Sequence, residues 1–252
     1  MDGKFMSAPS IMLQLYTIHV NVQGEGMPVV MTLMERKTRE AYETLFRVLK
    51  RKVGRHYENQ LNPRFISIDY EVTVINVIKS EFDGVKVAGC LFHLAQSFWR
   101  RPHTEGLVQQ YNVEENSELR ALFHSLVSLA FVPVENVHEA FDQLQETVEG
   151  DLIQVFDFLE DNYIKGRRRG RGRQQPLIAP DTWNCYDRLE VEEVDRCIER
   201  LEGGHSPTKK KRKYIDLDRR ISRIVEEYPR YKAEGTVIWN LRALGLNLAG
   251  HF

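Results

Sequence analysis

The pattern of apolar and polar positions divides the chain into a strand-bearing front and a helical remainder. Residues 11–20, Ile-Met-Leu-Gln-Leu-Tyr-Thr-Ile-His-Val, mix alternation with β-branched and aromatic side chains, and 28–34, Pro-Val-Val-Met-Thr-Leu-Met, form a short apolar run. With Gly24 and Gly26 between them, the spacing predicts two antiparallel strands joined by a turn. Thr38 stands where a helix cap belongs, ahead of Ala41, Tyr42, Leu45, Phe46, Val48 and Leu49 at helical spacing, and Gly54 marks the end of that amphipathic helix. Residues 65–69, Phe-Ile-Ser-Ile-Asp, predict a strand that ends in a carboxylate. A helix over 72–82, a strand over 85–88 and a helix over 91–111, broken near Pro102, complete an alternation of strands and helices that predicts an α/β core. From 116 to 161 the pattern is helical throughout, over Ser117–Ala130, Val134–Leu144 and Leu152–Leu159, with Pro133 and Gly150 as punctuation.

Composition adds a bound and then a complication. The 252 residues are 42% hydrophobic and 28% charged, which supports a packed core and excludes wholesale disorder. Lys and Arg number 35 against 36 Asp and Glu, a net charge of −1 that at first argues against a nucleic-acid partner. The distribution says otherwise: residues 135–161 hold nine acidic side chains and no Lys or Arg, whereas KGRRRGRGR at 165–173 and KKKRK at 209–213 are strongly basic. Three cysteines, Cys90, Cys185 and Cys197, cannot all pair, which points to a reducing, intracellular compartment. The N-terminus carries no secretory pattern and no apolar run reaches the roughly 20 residues of a membrane span. A soluble protein of the nucleus is expected, with the cytoplasm as the alternative.

Four features carry candidate chemistry. Asp69 ends a buried strand, where a carboxylate projects into a site at the sheet edge, or else caps the helix that starts near Val72. Asp2 precedes Gly3, a common turn pair. Cys90 and His93 sit three positions apart at a strand-to-helix junction, a spacing that suits zinc, although a structural zinc needs four ligands and no second pair follows. Arg167, Arg168, Arg169, Arg171 and Arg173, with Lys209, Lys210, Lys211 and Arg212, are candidates for neutralising phosphates; the first group reads as a flexible arginine-glycine segment or a solvated linker.

The order of segments resembles the transposases of Mutator-like elements, the MULE family. The resemblance rests on Asp2-Gly3-Lys4-Phe5 with Gln14 through His19, Pro28-Val29-Val30 through Leu33-Met34 with Lys37-Thr38 and Tyr42, Ile68-Asp69 with Glu71, and Gly89-Cys90-Leu91-Phe92-His93 with Gln96. It continues through Leu129 to Pro133, Trp183-Asn184-Cys185-Tyr186-Asp187-Arg188, and a tail from Lys213-Tyr214 to Tyr228. It implies an RNase H-like core whose two aspartates and one glutamate hold divalent ions, interrupted by a helical insertion. Asp2 would match the first carboxylate, Asp69 the second, and Cys90 with His93 the family's Cys-x-x-His motif. Mg²⁺ or Mn²⁺ would be the cofactor, because paired hard cations that activate a water or 3′-hydroxyl want oxygen ligands.

The sequence departs from the family in two places. After Trp183 through Arg188 the family continues into an Asn-rich segment with the third catalytic acid, whereas here Leu189 runs directly into Glu190-Val191-Glu192-Glu193. No third acid is identified; Glu192 or Glu193 would substitute only if the fold delivered one to the site. At the front, the first strand is expected to lack residues ahead of Asp2, and the family's upstream zinc-finger region is expected to be missing. The expected architecture is therefore a truncated RNase H-like core, a mixed sheet with flanking helices, over 1–111, with an all-helical insertion over 112–164. A basic linker over 165–182 and a helical C-terminal region over 183–252 follow. The expected function is that of a transposon-derived MULE protein, catalytically impaired, whose partner is DNA, at transposon ends or without sequence preference. The alternatives are a domesticated nuclear DNA- or protein-binding module and a decayed gene fragment.

Overall fold

The structure is a computed structural model that describes residues 1–4, 9–22, 25–57, 60–104, 117–150, 152–188 and 212–248. It is mixed α/β and divides into two compact units, Met1–Cys90 and Leu91–Phe252.

In the first unit, β1 (Asp2–Lys4), β2 (Gln14–Val22) and β3 (Glu25–Met34) form an antiparallel sheet in that order. The hairpin expected from the two apolar stretches is thus present, with a register shift between Ile18 and His19. Helix α1 (Arg39–Tyr57) follows, and the Thr38 hydroxyl accepts the Ala41 amide at 3.3 Å, as the cap signal predicts. Strand β4 (Phe65–Ile68) and β5 (Lys86–Gly89) pair in parallel through the crossover helix α2 (Val72–Glu81), the connection that parallel strands require. The Met1 amino group donates to the Ser67 carbonyl at 2.8 Å, which brings the start of β1 alongside β4.

The period-2 pattern of β2 sends Gln14, Tyr16 and Ile18 to one buried face. Tyr16 meets Tyr42 of α1 edge to face at 5.4 Å, and Phe46, one turn further on, meets Phe82 at 5.6 Å. Val74, Ile75, Val77 and Ile78 of α2 complete this core with Ile66, Ile68, Val87 and Ala88 of the parallel pair.

The second unit opens with α3 (Leu91–Thr104) and continues through α4 (Ser117–Ser128), 3₁₀ turns at Leu129–Phe131 and Val134–Asn136, α5 (Val137–Gln145) and α6 (Leu152–Leu159). The break expected near Pro102 is absent: α3 runs through it to Thr104, although proline has no N–H to give to the carbonyl four residues back, and the helix ends two residues later. The segment 165–173 is not a flexible run. It folds into a hairpin of β6 (Arg168–Arg169) and β7 (Gly172–Arg173), turning at Gly170 with φ 59°. Beyond it lie the short helix α7 (Pro180–Trp183) and, further on, α8 (Arg212–Glu226), α9 (Tyr228–Ala233) and α10 (Val237–Leu248).

Two of the family-like segments meet in this unit. Asn184 Nδ2 donates to the Val132 carbonyl at 2.7 Å, and the Cys185 amide donates to the Ala130 carbonyl at 2.6 Å. Trp183, fully buried, donates Nε1 to the Tyr163 carbonyl at 3.1 Å and packs with Tyr163 around Phe98. Helix α10 packs along α4, where Gly245 allows close approach to His124. Burial, reinforced by the nearby Arg120 charge, holds the His124 imidazole below its ordinary pKa.

Candidate functional site

Asp69 follows the last residue of β4, and its Oδ1 is shielded from solvent. It does not cap α2. The N-cap position belongs to Glu71, whose side chain makes no capping bond and turns instead to two other partners. Lys37 Nζ donates to Glu71 Oε2 at 2.7 Å, and the Tyr42 hydroxyl donates to Glu71 Oε1 at 2.7 Å. Gln14 Nε2 in turn donates to the Tyr42 hydroxyl at 2.9 Å. Four elements are tied by this chain of bonds: β2, the β3–α1 connection, α1 and the turn that carries Asp69.

The electrostatics fix the direction of these bonds. Burial raises the pKa of the Tyr42 hydroxyl, the hydrogen bond to Glu71 adds to it, and the Glu71 and Asp69 charges raise it further, against a smaller lowering by Gln14. Tyr42 therefore remains a neutral donor. Glu71 is left with a cation on one oxygen and a hydroxyl on the other. Gln14 is completely buried and lies over Gly3, where any Cβ would collide with its amide oxygen. On the other side of the turn, Gly89 of β5 leaves room for the Tyr70 ring, which a Cβ would strike.

The sequence candidates separate as follows. Asp2 lies in β1 opposite Thr17, one residue from the Met1 amine that bonds Ser67, so the backbone brings it to the part of the unit where Asp69 stands. Its side chain lies outside the described residues. Cys90 is buried at the end of the first unit, and its amide donates to the Ile68 carbonyl at 2.9 Å. His93 belongs to α3 of the second unit, beside Phe92. Glu192, Glu193 and Lys209, Lys210 and Lys211 lie outside the described residues, and Arg212 opens α8. Arg167, Arg168, Arg169 and Arg171 are exposed, whereas Arg173 bonds the Gly166 carbonyl and Glu160 at 2.8 Å each.

Periodicity placed Tyr42 in the core and found no role for Gln14, Lys37 or Glu71. The signal was present in the resemblance, since Gly3, Gln14, Lys37, Tyr42 and Glu71 are all among its matching residues and all converge here.

Residues 1–97 match the family model of the MULE transposase domain. The first 97 of the 252 residues therefore carry a MULE transposase domain. The match runs from β1 into α3 and takes in Asp2, Asp69, Glu71, Cys90 and His93. No curated protein and no solved structure matches the chain. A MULE transposase domain assigns the chain a transposable-element origin and implies DNA as a partner in general terms. Among the described residues no helix is long and apolar enough to cross a membrane.

MULE transposases are metal-dependent as a family, so the donors have to be weighed against that need. Hard divalent ions want several oxygen ligands. Among the described residues no group of three or more His, Cys, Asp or Glu side chains could hold a metal ion. Asp69 offers one carboxylate, and its neighbour Glu71 is occupied by Lys37 and Tyr42. Asp69 and Glu71 by themselves do not make a two-metal centre, and the carboxylate of Asp2, the other expected ligand, lies outside the described residues. Cys90 and His93 likewise fall short of the four ligands of a structural zinc.

Proposed function

We propose that this protein is a transposon-derived DNA-binding protein, built on an RNase H-like core, that does not complete strand cleavage and joining. The supporting observation is the state of Glu71. Glu71, two positions after Asp69, is held at both oxygens, by Lys37 at 2.7 Å and by Tyr42 at 2.7 Å, and is not offered as a ligand. A carboxylate paired with an ammonium would have to give up that partner before it could accept a metal ion. The antiparallel β1–β2–β3 sheet, followed by the parallel β4–β5 pair with Asp69 at its end, supports the reading of the first unit as the core. Its place of action is the nucleus, where a DNA partner resides.

The test is duplex cleavage by the full chain with Mg²⁺ or Mn²⁺, run beside Asp69→Asn. The expected result is no product that depends on Asp69. A product formed by the parent chain and lost in Asp69→Asn would overturn the proposal and restore an active transposase.

A further inference from the structure

The basic segment 165–173 contains six cationic side chains, and the structure assigns them two different jobs. Lys165 pairs with Asp142 and lies 3.2 Å from Glu160 Oε1, and Arg173 reaches the same oxygen at 2.8 Å while bonding the Gly166 carbonyl. Gly166, at φ 81°, sits so close to the Gln174 carbonyl that no Cβ would fit, and the Gln174 amide closes the base of the hairpin on the Arg167 carbonyl at 2.9 Å. A two-stranded ribbon this short is not stable alone in water. The brace on Glu160 is what orders it.

The other four cations are left outward. Arg167, Arg168, Arg169 and Arg171 are exposed, and among the described residues none of them forms an ion pair. Arg168 stands directly opposite Arg173 across the ladder, an arrangement of like charges that disfavours the hairpin. Arg169 faces Gly172, which has no side chain to cover it, and Gly170 leaves the tip without one. A fold that places its acidic residues against Lys165 and Arg173 and leaves the other four arginines exposed is arranged for an external polyanion.

We propose that the Arg168–Arg173 hairpin is a preformed element that docks against the phosphates of duplex DNA, with Arg167, Arg168, Arg169 and Arg171 as the contacting side chains and Lys165, Arg173 and Glu160 as the brace. This rests on DNA being the partner. A two-stranded ribbon is one of the shapes that the major groove admits, and the arginine fork matches phosphate oxygens. Holding the strand backbone in place beforehand lowers the ordering cost of binding.

The experiment is fluorescence anisotropy of a labelled duplex titrated with the full chain over a series of salt concentrations. Parent, Arg168→Ala/Arg169→Ala/Arg171→Ala and Glu160→Gln are compared, and far-UV circular dichroism checks the fold of each. In the triple variant the slope of log affinity against log salt should fall by about 2.7, roughly 0.9 for each lost contact. Glu160→Gln removes a negative charge, so simple charge counting expects equal or tighter binding. The brace predicts weaker binding at every salt concentration. An unchanged slope in the triple variant, or Glu160→Gln binding as tightly as the parent, overturns the hairpin proposal and leaves the DNA reading standing. Polyglutamate competing as well as unlabelled duplex overturns it in favour of an acidic protein partner. A parent chain that binds no duplex overturns both readings.

Discussion

Replacing Tyr42 by Phe removes one oxygen from the centre of the Gln14–Tyr42–Glu71 chain and leaves the ring that packs against Tyr16 in place. Two losses follow from the geometry. The bond from the hydroxyl to the Glu71 carboxylate, 2.7 Å long, has a charged acceptor, and such bonds contribute about 1.5–3 kcal/mol. Among the described residues Gln14 Nε2, completely buried, would keep the Met34 sulfur at 3.4 Å alone, and a buried donor that loses its partner costs about 1–3 kcal/mol. The two overlap, since both describe one network, so the expected destabilisation is about 2–4 kcal/mol. For a unit of this size each 1 kcal/mol moves the melting point by roughly 4–8 °C. The assay is urea and thermal unfolding of the full chain followed with two probes. All three tryptophans, Trp99, Trp183 and Trp239, lie in Leu91–Phe252, so their fluorescence reports the second unit, while circular dichroism reports both. The loss should appear in the circular-dichroism transition. Tyr42→Phe combined with Glu71→Gln should cost less than the sum of the two single changes, because they share one bond. A Tyr42→Phe variant within about 0.5 kcal/mol of the parent, the range of an ordinary surface substitution, would refute the claim that this network holds the Asp69 turn.

Three further outcomes follow from the geometry. Gly89→Ala drives a methyl into the Tyr70 ring beside Asp69, and should cost about 1–3 kcal/mol by urea unfolding; a neutral result would mean that Tyr70 moves aside freely. Gly245→Ala places a Cβ 3.0 Å from the His124 backbone, where α10 meets α4, and should destabilise the second unit by a similar amount, about 1–3 kcal/mol, read by tryptophan fluorescence. At Glu160, burial raises the carboxyl, but hydrogen bonds and charge from Lys165 and Arg173 outweigh it and leave the pKa below its ordinary value of 4.5. A folded-state pKa below the unfolded one means stability that is complete above pH 4.5 and lost as pH falls through the folded value. Hydrogen-exchange protection of the Gln174 amide should accordingly hold steady from neutral pH down to that point and decline below it; a loss of protection between pH 5 and 8 would contradict the assignment.

The local pattern was enough to define most elements of the chain. Alternation in 11–20 and the apolar run in 28–34 account for β2 and β3, the 3.6-residue spacing after Thr38 for α1, and the apolar stretch ending at Asp69 for β4, because which face is apolar is written in the order of residues. The same reasoning found the helices between 117 and 159, though not the passage of α3 through Pro102.

Tertiary structure decided what the polar residues do, since their roles depend on partners distant along the chain. Gln14, Lys37, Tyr42 and Glu71 span nearly sixty positions, and no periodicity connects them; only the packing of α1 over β2 and beside the β4 turn brings them within hydrogen-bond reach. Glu71 reads as one more surface acid until Lys37 and Tyr42 are seen on its two oxygens. The arginine-glycine run shows the same limit. By composition it is a solvated linker, and it becomes a hairpin because Glu160, on the turn that ends α6, supplies the counter-charge that its own residues lack. Sequence order determined which segments form strands and helices, whereas the meeting of distant charges decided which carboxylate is engaged and which arginines remain exposed.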